Sequence, residues 1–364
     1  MSATPDEARL QATRGVVASI YNSMPIWVIN LTTFAVGAAS LVLVLLYNYQ
    51  DNMLYMPSGG GQINLSPQEN PEGWRNPLDH PSRTPYEDKL VETADGIKIS
   101  TWLMLHKESS KCPTLIYFHG NAGNMGHRLE NSIKMLRLSG LNVLTVDYRG
   151  YGDSSGAPTE KGLNLDADAV LDYALNHPKL KGSPLIAFGR SLGGAVAVSL
   201  AERRPDRIAA VVVENTFLSI AAMVDALMPG IAFAKNLVLR IGWDSHDKIQ
   251  RLKCPIMFIS GENDSLVPPA HMHKLHEVAK KSVFKEFVSV KGGTHNESFV
   301  IMGRAYYAKL KEFVYRDDIM KGLQCTSEKE MQIAEEGEED QQGPAMGAIP
   351  TMNANFGVDT KKTN

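Results

Sequence analysis

The chain has 364 residues, with 37 Lys and Arg against 40 Asp and Glu, for a net charge of −3. That balance offers no basic stripe for a nucleic-acid partner. Three cysteines, Cys112, Cys254 and Cys325, are too few and too odd in number for a disulfide framework.

No charged residue occurs between Arg14 and Asp51. Within that gap, residues 25–47 (PIWVINLTTFAVGAASLVLVLLY) are apolar for slightly more than the ~20 residues a helix needs to cross ~30 Å of hydrocarbon. Trp27 and Tyr47 fall near the two ends, where amphipathic rings favour the membrane interface. A cleaved signal peptide would carry a shorter apolar run, about 7–15 residues, ending at a small-residue site. This run continues into YNYQDNMLY without one, and it is long for a buried core helix. The sequence therefore predicts a short N-terminal segment (1–24) and an uncleaved signal-anchor helix over 25–47, with the lipid bilayer as partner. Arg9 and Arg14 precede the helix and the next basic residue after it is Arg75. The positive-inside rule then places the N-terminus in the cytosol, a single-pass type II arrangement.

Residues 48–85 are rich in Gly, Pro, Asn and Ser and read as a linker and entry segment. Residues 86–316 alternate strand-like runs with helix-length segments. LVET and IKISTWLML flank Asp95-Gly96 and predict a hairpin. The runs at 114–118, 142–148, 184–189, 209–215, 255–260 and 284–290 predict strands. Several are continuously apolar, as parallel strands covered on both faces are. Cys112 and Cys254 each precede a proline and such a run, so they read as small residues at strand entrances. Segments 127–139, 160–177, 192–203 and 269–281 have helical length. The pattern predicts an α/β fold, a mostly parallel central sheet with helices on both faces. Beyond the catalytic segment, 326–364 reads as a disordered acidic tail.

Gly189, Ser191 and Gly193 form a Gly-x-Ser-x-Gly pattern between the apolar strand PLIAFG and the helix-forming LGGAVAVSLAERRP. This is the strand–turn–helix setting of a nucleophile elbow, where glycines permit close strand–helix packing and the serine projects above the sheet. A serine nucleophile needs a base, and the base an orienting acid. Asp264 and His295 follow in that order, each in a loop after a predicted strand, where catalytic groups of open parallel sheets gather. Glu262 competes with Asp264 for the acid role; Asp264 is preferred because it lies farther past the strand. His271, His273 and His276 invite a metal reading, but an i, i+2 pair does not share a helix face. They read as a solvated helix start, and His177 as a surface residue. The backbone amides of Asn121, in the loop YFHGNAGN, and of Leu192, after the serine, are the expected oxyanion donors. His119 reads as a brace of that loop. Arg190 and Glu214 are expected to pair and brace the elbow. No cofactor and no metal is called for.

Together YFHGNAGNMGHRL, VDYRGYGDSSG, FGRSLGGAVAV, VENTFLSI and KGGTHNES resemble the α/β-hydrolase superfamily, and more narrowly its bud-emergence-protein-like branch. The resemblance covers roughly residues 50–315 and, in layout, the N-terminal anchor. It implies an α/β-hydrolase fold with a short cap and a Ser191–Asp264–His295 triad that matches the one reasoned from the residues. It also implies a single-pass membrane protein. Relatives with similar HGNAGN loops act on protein thioesters, so an acylated protein or lipid is the expected substrate, cleaved at an ester or thioester. A silent membrane-anchored scaffold and a serine peptidase are the alternatives. The apolar segment 217–243 either covers an acyl chain or packs on the core. Sequons at Asn64, Asn263 and Asn296 sit awkwardly with a site on the glycosylated side of a membrane, because two of them flank the triad acid and base.

Overall fold

The computed structural model describes residues 9–11, 13–14, 24–58 and 66–321. The segment 326–364, Cys325 and Asn64 lie outside the described residues.

A long helix, α1 (Ile26–Leu54), precedes the sheet. β1 (Glu87–Glu92) and β2 (Lys98–Met104) then form an antiparallel hairpin. Gly96 turns it at φ 78°, a conformation that disfavours a Cβ, and the Thr93 N–H closes it on the Ile97 carbonyl at 2.8 Å. β3 (Thr114–Phe118), β4 (Asn142–Val146), β5 (Leu185–Arg190), β6 (Ala210–Glu214), β7 (Ile256–Gly261) and β8 (Lys285–Val290) complete an eight-stranded sheet. Its order is β1-β2-β4-β3-β5-β6-β7-β8. β2 meets β4 antiparallel, and all later neighbours are parallel.

Every residue of β3 to β7 is buried, which is why these strands read as continuous apolar runs. Their alternation builds two cores. Ile116, Phe118 and Val213 face one side, against Leu163 and Leu171 of α3 (Glu160–Asn176) and Val196 and Leu200 of α4 (Leu192–Arg203). Leu115, Tyr117 and Val212 face the other, against Ile133 of α2 (Leu129–Lys134) and, much later in the chain, Tyr306 and Leu310. Each fully buried Leu, Ile or Val on these faces contributes about 1.5–3 kcal/mol. After β6 come α5 (Ile220–Leu227), α6 (Lys235–Val238) and α7 (Ser245–Ile249); after β7 comes α8 (Pro269–Val278). α9 (Ser298–Met302), α10 (Arg304–Val314) and α11 (Asp317–Lys321) end the described chain.

Two elements differ from the expectation. The segment 127–139 is not one helix: it opens as a 3-10 turn, and α2 ends in a wide turn over Met135–Ser139 closed by Gly140 at φ 71°. The N-terminal helix continues past Tyr47 to Leu54, into the stretch read as linker. No glycine or proline lies between Tyr47 and Pro57, and the folded domain supplies partners for the polar end of the helix. Its apolar window has a mean hydropathy of 2.1 and is entirely unburied, which is not how a core helix of this chain would sit. Nor is the entry segment a loose tether. Asn70 hydrogen bonds to Asn124 at 2.8 Å, and Trp74 meets the His127 ring edge-on.

Candidate active site

Ser191 sits between β5 and α4 at φ 54°, ψ −120°. An L-residue held there stores on the order of 1–3 kcal/mol of strain. Three hydrogen bonds hold it. The Ser191 N–H donates to the Glu214 carbonyl at 2.9 Å, and the Ser191 carbonyl accepts from the Gly194 N–H at 3.0 Å and the Thr216 hydroxyl at 2.7 Å. The flanking glycines are sterically required. A Cβ on Gly189 would lie 1.9 Å from the Gly193 carbonyl oxygen, and one on Gly193 would lie 2.0 Å from the Phe118 oxygen. One on Gly194 would lie 2.5 Å from Thr216 Cβ.

Asp264 and His295 are brought together: Nδ1 of the imidazole lies 2.7 Å from Oδ2 of the carboxylate. The other oxygen, Oδ1, accepts the backbone N–H groups of Leu266 and Val267, each at 2.9 Å. The carboxylate is thus fixed by its own loop and turned to the histidine. Glu262, the competing acid, accepts from the Ser289 hydroxyl instead. The Ser191 hydroxyl and His295 share no hydrogen bond in this structure; in substrate-free sites such bonds often close only around the substrate.

The histidine loop is stapled to the elbow by a residue the sequence reading passed over. Asn215, at φ 48° just past β6, donates from Nδ2 to the carbonyls of Thr294 (3.1 Å) and His295 (3.0 Å). Its Oδ1 accepts the Gly261 N–H at 2.8 Å, at the end of β7. The available signal was a polar residue directly after a continuously apolar strand, beside the serine elbow.

Arg190 and Glu214 do meet, at 3.2 Å and fully buried. Tyr306 donates to the same carboxylate oxygen at 2.9 Å, and Arg190 also reaches the Asn296 carbonyl at 3.4 Å. Burial pulls the Arg190 guanidinium down and the adjacent carboxylate pulls it up, and the second effect prevails. His119 is buried with Nε2 3.3 Å from Asp147, while Tyr148 donates to its carbonyl at 2.8 Å, so it braces the loop after β3. His177 is buried rather than on the surface, because Glu87 of β1 covers it at 2.9 Å. The histidines of α8 pack rather than converge: His271 is buried, and His273 stacks on Phe287. Burial raises the Cys254 thiol to about 12 and keeps it protonated.

Asn121 and Leu192 line the same cavity as Ser191. At the first position of α4 the Leu192 N–H has no acceptor within the helix. The cavity holds about 650 Å³ and is overwhelmingly apolar. Phe217, Met223 and Leu237 from the segment after β6 form one wall; Ala39, Leu43 and Leu46 of α1 form another. A second cavity, about 440 Å³ between β1 and α3, contains none of these residues.

A family profile described as the alpha/beta hydrolase fold matches residues 113–236. Protein bem46 of Schizosaccharomyces pombe is 36% identical over 293 residues, covering 78% of this chain and 93% of that protein. An uncharacterized membrane protein of Saccharomyces cerevisiae is 33% identical, covering 77% of this chain and 93% of its own. Among solved structures, a Pyrococcus furiosus esterase superposes with a TM-score of 0.54 at 23% identity, covering 66% of this chain and 93% of that one, a likeness of fold.

Proposed function

The chain belongs to the α/β-hydrolase fold family, in the branch of Protein bem46, and on that premise we propose that it is a membrane-anchored serine hydrolase cleaving the ester or thioester of a long acyl chain. The observation that carries this reading is a serine held in a strained elbow on the wall of an apolar cavity, in a fold that also pairs His295 with the Asp264 carboxylate.

Ser191 Oγ attacks the acyl carbon while its proton passes to Nε2 of His295, and Asp264 holds the imidazole in the tautomer that accepts it. The amides of Asn121 and Leu192 bind the oxyanion. Collapse breaks the bond to the alcohol or thiol, which leaves with the proton from His295. Water then gives a proton to His295 and attacks the acyl-enzyme, and Ser191 leaves with that proton, releasing the carboxylic acid. The apolar lining favours long acyl chains, on lipids or on lipidated proteins such as palmitoyl thioesters. The unburied helix α1 and the similarity to a membrane protein of Saccharomyces cerevisiae support membrane anchoring. The arginines before the helix support the type II orientation.

The test is labelling of the full-length protein by a fluorophosphonate. Wild type is expected to label and Ser191→Ala is not. Equal labelling of both, or none on folded wild type, would refute the reading.

A further inference from the structure

We propose that the acyl chain reaches Ser191 from within the bilayer, through a lateral passage of which the membrane helix itself is one wall. The inference rests on the serine-hydrolase reading and adds how the substrate enters.

Seven residues of α1 line the same cavity as Ser191, four of them, Ala39, Val42, Leu43 and Leu46, in its apolar stretch. All four belong to the uncharged stretch that the sequence places in hydrocarbon. Ala39 to Leu46 spans about 10 Å along the helix axis, within the thickness of one leaflet. A cavity bounded by these side chains on one side and by a cytosolic or lumenal domain on the other straddles the membrane surface.

The facing wall is also built for lipid. Phe233 and Leu237, in the turn before α6 and on α6, are 89% and 72% exposed, and Leu227 and Met228 are partly exposed beside them. Soluble surfaces seldom carry such a contiguous apolar patch, and next to a membrane helix its natural solvent is the headgroup–acyl boundary. The mouth of the cavity therefore opens where lipid chains are.

The helix is clamped in this position rather than tethered. Gln50 is buried, and besides the Tyr47 carbonyl of its own helix (2.9 Å) its amide bonds to the cap, the segment 217–243. Its Nε2 donates to the Val238 carbonyl at 3.0 Å, and its Oε1 accepts the N–H groups of Arg240 (2.9 Å) and Ile241 (3.1 Å). Arg240 pairs with Asp51, marking the level at which charge and water begin. Trp243 donates to the Tyr55 hydroxyl at 2.9 Å just beyond. These contacts fix which face of α1 borders the cavity. A volume of about 650 Å³ is in the range that holds one drug-sized ligand, so the occupant is a single acyl chain with its carbonyl at Ser191, the remainder of the substrate lying outside.

The experiment uses full-length protein in phosphatidylcholine vesicles and two fluorophosphonates, one with an ethyl and one with a hexadecyl chain. Ala39→Trp and Leu43→Trp place bulk in the passage. Phe34→Trp, on exposed helix surface away from the cavity, is the control. The hexadecyl-to-ethyl ratio of labelling rates is expected to fall about tenfold or more in the first two, the scale of a steric mismatch in an apolar site, and to stay at the wild-type value in Phe34→Trp. An unchanged ratio, an equal loss on both probes, or the same fall in the control overturns the passage while leaving the hydrolase reading intact. Wild type that labels with neither probe overturns both.

Discussion

The side-chain amide of Asn121 donates to the carbonyl of Leu54, the last residue of α1, at 3.1 Å. The residue whose backbone we propose binds the oxyanion thus uses its side chain to hold the proposed anchor helix, α1. The tie is reinforced: the Asn121 carbonyl accepts the Met56 N–H at 2.9 Å and the Tyr151 hydroxyl at 2.8 Å. The end of α1 and the loop after β3 form one structural unit.

Asn121→Ala is therefore expected to lower kcat about 10–100-fold on a short acyl ester with little change in KM. The backbone amide remains, held only through the carbonyl contacts to Met56 and Tyr151, so the loss stays below that of deleting an oxyanion donor outright, about 10²–10³. Global stability should fall by only about 0.5–1.5 kcal/mol, one hydrogen bond. Steady-state kinetics with thermal unfolding of the same preparation checks this; a KM effect alone would place Asn121 in substrate binding instead.

The strain at Ser191 predicts a trade of stability against activity. Glycine adopts φ 54° without a Cβ penalty. Ser191→Gly should be more stable than Ser191→Ala by about 1 kcal/mol, with both inactive, since alanine keeps the strain and loses only the hydroxyl. Denaturant midpoints in detergent compare them directly. Equal stabilities would mean that the elbow is not strained.

Glu214→Gln removes the charge facing Arg190 in a site where both are buried. An uncompensated buried guanidinium costs about 3–5 kcal/mol, and the double variant Arg190→Met with Glu214→Gln should regain part of that loss. Additive losses in the double-mutant cycle would show that the two residues do not act as a pair.

The central strands, the elbow and the acid–base loops were legible because each obeys a local rule: continuous apolar runs for buried strands, glycines where a Cβ collides, loops at strand ends. That Asp264 rather than Glu262 would meet His295 was legible as well, because Asp264 lies farther past the strand. Asn215 was not, because its role is to join three loops far apart in sequence, and nothing local distinguishes it from any strand-terminating polar residue. The extension of α1 to Leu54 was hidden for a similar reason. Residues 48–54 are polar enough to read as linker, and only the partners of Gln50 and Asp51 on the distant cap make them helix. The two readings of the segment 217–243, core packing or acyl cover, also depended on a neighbour, α1, whose position no local pattern encodes.

Removing the Gln50 amide tests that docking. Gln50→Leu leaves the Arg240 and Ile241 N–H groups without their acceptor, at about 1–3 kcal/mol for each buried unpaired group. Hydrogen exchange should accelerate over residues 235–243 and leave β3 to β7 unchanged, and the preference for long chains should weaken. Unaltered exchange in the cap would mean that helix and cap are held together by apolar contact alone.

The sequons bear on which side of the membrane the domain occupies. Asn263 and Asn296 are exposed on the loops that carry Asp264 and His295. A glycan there would obstruct a substrate arriving from water. It would not obstruct one arriving along α1, because the passage opens between the membrane helix and the cap. Lateral entry removes the conflict between the type II orientation and a working site. In sealed microsomes the catalytic domain is then expected to resist added protease, and endoglycosidase should shift the wild type but not Asn64→Gln/Asn263→Gln/Asn296→Gln. Digestion of the domain with no glycosidase shift would assign it to the cytosol and reverse the orientation drawn from Arg9 and Arg14.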